Sequence, residues 1–119
     1  STPVLPVMDR VLAMPLIGMV DSMRVEQAIE SVMNGVSEHQ AEVLILDLTG
    51  VPVVDTQVAN ALLKAAAGVK LLGGTCILTG IRPAVAQTMV ELGIDMSSVT
   101  TRSTLKAGLK DAMGMVRAA

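Results

Sequence analysis

The chain has 119 residues, a net charge of −2, 51% hydrophobic residues and no Phe, Tyr or Trp. That length fits one domain, and a chain of this size buries roughly two thirds of its unfolded surface, enough for a real core. The apolar content excludes disorder, the lack of aromatic residues and of any basic block excludes stacking and phosphate-tracking recognition of nucleic acid, and no apolar run approaches the ~20 residues of a membrane helix.

Ser1 to Pro6, STPVLP, holds two prolines. It reads as a linker leading into the domain or as a short edge segment. Val11 to Ile17 carries the first strand signal, with Pro15 pointing to an edge position or a bulge. Gly18-Met19-Val20 is a turn region. A helix follows Asp21-Ser22, because Val25, Ile29, Val32, Met33 and Val36 fall on one helical face. Asn34-Gly35 and the polar stretch Ser37 to Gln40 are expected to end it.

Val43-Leu44-Ile45-Leu46 is a short, continuous apolar run rich in branched residues. It predicts a strand buried on both faces. Asp47 to Gly50 ends that strand, and Pro52 makes Val51 to Val54 a stiff connection rather than a strand. Asp55-Thr56 opens a second helical pattern through Val58, Ala61, Leu62, Ala65, Val69 and Leu72, closed by Gly73-Gly74. Asp and Thr are both good N-cap residues. Thr75 to Thr79 is the next strand. Gly80-Ile81-Arg82-Pro83 leads to a third helix with Pro83 suited to its first position, running through Val85, Met89, Val90 and Leu92 to Gly93. A short strand is expected at Ser98-Val99-Thr100. Ser103 or Thr104 caps a last helix whose apolar face is Leu105, Leu109, Met113 and Val116.

Strands alternating with helices of about 10 to 16 residues predict an α/β domain whose strands pair mostly in parallel through helical crossovers. In such sheets every helix starts at the carboxyl edge of the strand before it, and sites gather there. Ser22, Thr56 and Arg82 are therefore expected along one edge of the domain. The N-terminus lacks the form of a signal peptide, so a soluble cytoplasmic protein is expected.

Little in the sequence supports catalysis. The one histidine, His39, lies in a polar stretch without an orienting acid. Neither glycine-rich phosphate signature is present, and one Cys, one His and scattered carboxylates make no metal cluster. No cofactor and no metal are expected. Cys76 lies in an apolar strand and reads as a buried thiol with no activating neighbour. The nine methionines are expected to stand in for aromatic bulk in the core. Asp47 reads as a capping or loop-ordering carboxylate.

On physical grounds Ser22 and Thr56 serve first as helix caps. A phosphoryl group on either would add about −1.5 to −2 charges and three acceptor oxygens at a helix start, which tolerates negative charge. A partner docked on this edge could be dislodged without unfolding the domain. Asp21 and Asp55 border the two hydroxyls, and Arg82 and Arg24 are candidate phosphate partners.

Three segments carry a resemblance over essentially the whole chain: MPLIGMVDS at Met14 to Ser22, LDLTGVPVVDT at Leu46 to Thr56, and LTGIRPAVAQTMVELGID at Leu78 to Asp95. With them the chain resembles a STAS domain, and within that family the RsbR-type scaffolds of the stressosome. The resemblance implies a single mixed, mostly parallel sheet with about four helices, spanning residues 1–119 as one domain. It implies a non-enzymatic scaffold that sequesters an RsbT-like switch kinase and releases it when hydroxyls at the starts of the first two helices are phosphorylated. Carried onto this chain, those hydroxyls are Thr56 and Ser22. Ser22 departs from the threonine common in RsbR-type sequences but keeps the hydroxyl. Asp55-Thr56-Gln57-Val58 lacks the Asp-Ser-Ser-Gly pattern of simple anti-sigma-factor antagonists. The resemblance also implies an RsbS-like companion scaffold, self-association into dimers and a larger assembly, no membrane partner and a separate N-terminal sensor domain. Two alternatives stand beside it: a nucleotide- or anion-binding STAS module, and a simple antagonist that binds an anti-sigma kinase.

Overall fold

The computed structural model describes residues 4–18, 21–97 and 99–116. Five strands and four helices follow one another as β1 (Leu5–Met8), β2 (Val11–Pro15), α1 (Ser22–Glu38), β3 (Val43–Asp47), α2 (Thr56–Leu71), β4 (Thr75–Thr79), α3 (Pro83–Glu91), β5 (Thr100–Arg102) and α4 (Leu105–Met115). They form one sheet in the order β1-β2-β3-β4-β5. β1 runs antiparallel to β2, and every other pair is parallel.

The strand pleat sorts the core into two layers. Leu12, Met14, Leu44, Leu46, Cys76 and Leu78 point to one face, where α1, α2 and α3 cover them with Val25, Val32, Leu62, Val69, Val85 and Met89. Three successive crossovers between neighbouring parallel strands keep one hand, so their helices share that face. Val11, Ala13, Val43, Ile45 and Ile77 point the other way, against Ala112 and Leu109 of α4. β3 is buried at every residue, as its apolar run predicts.

The helix ends follow one chemistry. Gly73 N–H donates to Lys70 O at 3.0 Å and Gly74 N–H to Val69 O at 2.9 Å, with Gly73 at φ +90°. This paired arrangement satisfies the last carbonyls of α2. The same pairing closes α3 at Gly93 and α1 at Gln40, where a non-glycine residue adopts φ +49°.

Several expectations are corrected. Of the two readings of the first segment, the edge one holds for Leu5 and Pro6, which belong to the edge strand β1; residues 1–3 lie outside the described residues. β2 stops at Pro15 and lies inside the sheet, between β1 and β3. Pro15 is tolerated because it is the last residue of its strand, where the ladder ends. Asn34-Gly35 does not end α1, which continues to Glu38. Gly35 is there for packing: a Cβ on it would lie 3.3 Å from Val4 Cγ1 and 3.5 Å from Leu12 Cδ1. The last strand is Thr100–Arg102 instead of Ser98 to Thr100, Val99 being a buried residue ahead of it. Met19, Val20 and Ser98 fall outside the described residues.

α4 buries Gly108 and Ala112, while Leu105 and Met113 of its expected apolar face are exposed. Among the methionines only Met14 and Met89 are fully buried within the described residues. Met8, Met33 and Met96 pack against the core half-buried, and Met23, Met113 and Met115 are exposed, so methionine contributes to the core while branched aliphatics fill most of it.

Candidate functional site at the carboxyl edge of the sheet

The parallel strands β2, β3, β4 and β5 end level with one another, at Pro15, Asp47, Thr79 and Arg102. Ser22, Thr56 and Arg82 all stand beyond these ends. Ser22 is the first residue of α1, Thr56 the first residue of α2, and Arg82 the N-cap of α3 ahead of Pro83.

The caps themselves differ from expectation. The N-caps are Asp21 and Asp55, not Ser22 and Thr56. Asp21 Oδ1 accepts from Met23 N–H at 2.8 Å, and Asp55 Oδ1 accepts from Val58 N–H at 2.8 Å. A carboxylate is the stronger partner for a helix start, because it meets both the free donors and the positive end of the dipole. The two hydroxyls are thereby pushed one position into the helix and released from capping. Thr56 is exposed and Ser22 half-buried. Thr104 caps α4, accepting from Ala107 N–H at 3.1 Å.

Hydrogen bonds knit the edge together across the strands. Leu16 N–H donates to Asp47 O at 2.9 Å, Gly18 N–H to Gly50 O at 2.9 Å, and Leu48 N–H to Thr79 O at 2.8 Å. Asp47, 8% exposed, accepts from Thr79 Oγ1 at 2.7 Å and Thr49 Oγ1 at 3.0 Å, both on its Oδ1. Arg82 Nε donates to Thr49 O at 2.8 Å. Gly80 sits at φ +69° directly against this group, where a Cβ would come within 2.9 Å of Thr49 N. A buried carboxylate holding two hydroxyls is satisfied without an ion. Asp47 is thus loop-ordering, as its position at the strand end suggests.

Between the first turns of α1 and α2 runs a groove of about 420 Å³, bordered by Ser22, Glu26 and Ile29 on one side and Gln57, Asn60 and Lys64 on the other. Exposed Ile17, Met23 and Val53 add apolar surface to the residues leading into the two helices. His39 is the exposed C-cap of α1 and stands apart from this edge. Cys76 is buried, and burial pushes its thiol up to about 12.

A family model for the STAS domain matches residues 2–108. The chain belongs to the STAS family. This STAS domain is 46% identical over 115 residues to the RsbT co-antagonist protein RsbRA of Bacillus subtilis, a match covering 97% of this chain and 42% of RsbRA. The chain thus spans under half the length of that relative. Among solved structures, a variant of RsbS from Moorella thermoacetica matches the STAS domain with a TM-score of 0.83 and 30% identity over 95% of both chains. A chain of the stressosome, described as a signal integration and transduction hub, matches with a TM-score of 0.80 and 28% identity, covering 98% of this chain and all of that one. The resemblance read from the three motif segments is confirmed at the level of family, fold and RsbR-like character.

Two features of the site lie beyond sequence reasoning. The Asp47–Thr79 bond joins residues 32 positions apart. Thr49 reads as part of a turn, and only the packing against Gly80 and Arg82 gives it a partner on either side. The sequence signal that could have pointed to the first is the polar residue closing each of two buried strands, Asp47 and Thr79, which become each other's partner when the strands pair in register.

Proposed function

We propose that this STAS domain is a phosphorylation-regulated scaffold of a stressosome-type assembly, which holds a switch kinase and releases it when Thr56 and Ser22 are phosphorylated. The observation that carries this reading is the placement of both hydroxyls. Each stands at the first helical position behind a carboxylate cap, on the same edge of the sheet, with its oxygen not consumed by capping. A phosphoryl group there puts about −1.5 to −2 charges beside an existing carboxylate. The helix start tolerates the charge, so the fold survives. A partner resting on the apolar surface of Ile17, Met23 and Val53 would meet a new, strongly hydrated anion. Among the described residues Arg82 is held through Nε, on Thr49 O, which leaves its terminal nitrogens to meet such an anion or an acidic partner.

The relatives support the choice of partners. RsbRA is by name a co-antagonist of RsbT, and the solved neighbours include RsbS and the stressosome. An RsbT-like kinase, an RsbS-like companion and further copies of this domain are therefore the proposed partners, in a cytoplasmic complex. The domain itself is proposed to be non-catalytic and to function as one unit within a longer protein that carries a separate sensor. The anion-binding alternative is disfavoured by the same caps. Met23 N–H and Val58 N–H already serve Asp21 and Asp55, and those carboxylates repel a phosphate cradled from solution.

The test is mass spectrometry of the domain after incubation with an RsbT-type kinase and ATP-Mg. Phosphate on Thr56, with or without Ser22, is the expected result. A domain that binds the kinase but stays unmodified would leave a passive scaffold. One that neither binds nor is modified would overturn the proposal.

A further inference from the structure

The segment from Leu48 to Asp55 delivers Thr56 to the edge, and it is unusually well held for a connection without regular structure. Leu48, Val51 and Val54 are buried anchors on its inner side. On its outer side Thr49 is gripped twice: its hydroxyl donates to Asp47, and its carbonyl accepts from Arg82 Nε. The Asp47 carboxylate is fixed in turn by the fully buried Thr79 of the neighbouring strand. Gly80, at φ +69°, closes over the group so tightly that a side chain there would strike both Thr49 and Asp47. Residues from the ends of β3 and β4 and from the start of α3 thus converge on one peptide unit seven residues ahead of Thr56.

We propose that Asp47 is a positioning residue for the Thr56 hydroxyl: acting through Thr49, and together with the Arg82 clamp, it sets the conformation in which the 48–55 segment presents Thr56 to a kinase. The inference rests on the reading of Thr56 as an acceptor and adds what regulates that acceptor. Asp47 is buried, so it acts without touching the kinase. Phosphoryl transfer is sensitive to small displacements of the attacking oxygen, because the protein contributes mainly position and electrostatics to that step. A loop released from Asp47 and Arg82 would sample more conformations and offer the hydroxyl in fewer productive ones. Ser22 reaches the same edge by another connection, which meets the 48–55 segment at Gly50 through the Gly18–Gly50 backbone bond and the packing of Ile17, away from the Thr49 contacts. It serves as an internal reference on the same molecule.

The experiment compares wild type with Thr49→Val, Thr49→Ser and Asp47→Asn in the 119-residue chain, using two readouts. Hydrogen exchange of the amides from 48 to 56 reports the hold on the segment. Initial rates of phosphorylation at Thr56 and Ser22 by an RsbT-type kinase, resolved by mass spectrometry, report presentation. Thr49→Val is expected to speed exchange in the segment and to slow modification of Thr56 by about tenfold or more while sparing Ser22. Thr49→Ser, which keeps the hydroxyl, should restore both. Asp47→Asn should follow Thr49→Val in direction; if it does not fold, the Thr49 pair decides alone. Unchanged exchange, or an equal fall at Thr56 and Ser22, would overturn the proposal. Faster exchange in a chain whose wild type takes no phosphate at either site would refute the acceptor reading instead, and would leave the hold of Asp47 on the segment established.

Discussion

Gly108 of α4 lies directly over Thr79: a Cβ on Gly108 would come within 2.5 Å of Thr79 Cγ2. Thr79 cannot turn aside, because its hydroxyl is held by Asp47 and it is fully buried. Gly108→Ala would gain about 1 kcal/mol in helix propensity but lose about 1 to 3 through overpacking. A net loss of stability of about 1 kcal/mol is expected in urea denaturation. Gly114, on the same helix, faces open space. Gly114→Ala should therefore stabilise by up to about 1 kcal/mol. The opposite signs separate packing from propensity.

The caps make a second contrast. Asp55→Ala removes the acceptor of Val58 N–H and should cost about 0.5 to 2 kcal/mol. Thr56→Ala removes an exposed hydroxyl that caps nothing and should change stability by less than about 0.5 kcal/mol. Thermal denaturation of the two variants checks this. A kinase-binding assay then separates the roles: Thr56→Ala should keep the kinase bound, and Thr56→Asp should weaken it. Equal affinity for Ala, Asp and wild type would remove Thr56 from the switch.

Gln40 ends α1 in the left-handed conformation that glycine occupies after α2 and α3. That conformation costs an L-residue about 1 to 2 kcal/mol, against which glycine loses about 0.5 to 1 in chain entropy. Gln40→Gly is expected to raise stability by about 0.5 to 1 kcal/mol, read as a higher denaturation midpoint with an unchanged slope.

Burial raises the Cys76 thiol from 9.0 to about 12. The unfolded chain therefore gives up this proton earlier than the folded one, and stability contributed by the neutral thiol falls as the pH climbs from 9 towards 12. Thiol reagents at about pH 8 should label Cys76 no faster than the protein unfolds. The stability difference between wild type and Cys76→Ala should narrow between about pH 8 and about pH 10.5.

Continuous apolar runs were the most legible part of the chain. β3 and β4 can be read directly from Val43 to Leu46 and from Thr75 to Thr79 because burial on both faces leaves no polar alternation to misread. β1 was legible only as one of two readings, a short edge segment or a linker, because it has four residues, includes Pro6, and exposes most of its side chains. Helix placement was also legible, but the caps shifted by one residue. Asp and Ser or Thr compete for the same role, and only the geometry shows which oxygen reaches the N–H. The inner face of α4 was misread for a different reason. Hydrophobic periodicity marks Leu105 and Met113, whereas close approach to the sheet selects Gly108 and Ala112. The gathering of Ser22, Thr56 and Arg82 on one edge followed from the alternation of elements alone. The bond network beneath it did not, since its partners are distant in sequence.

The turns that return the chain to the sheet, at Asp9-Arg10, His39-Gln40, Gly73-Gly74 and Gly93, all lie at the end opposite Ser22 and Thr56. The proposed switch and these turns therefore occupy opposite ends of the domain. A fluorophore, an affinity tag or an inserted peptide attached at Gly73 or Gly93 would be carried at the full length of the strands from the hydroxyls. On the proposed reading, such a reporter would follow kinase release in real time from the end away from the hydroxyls.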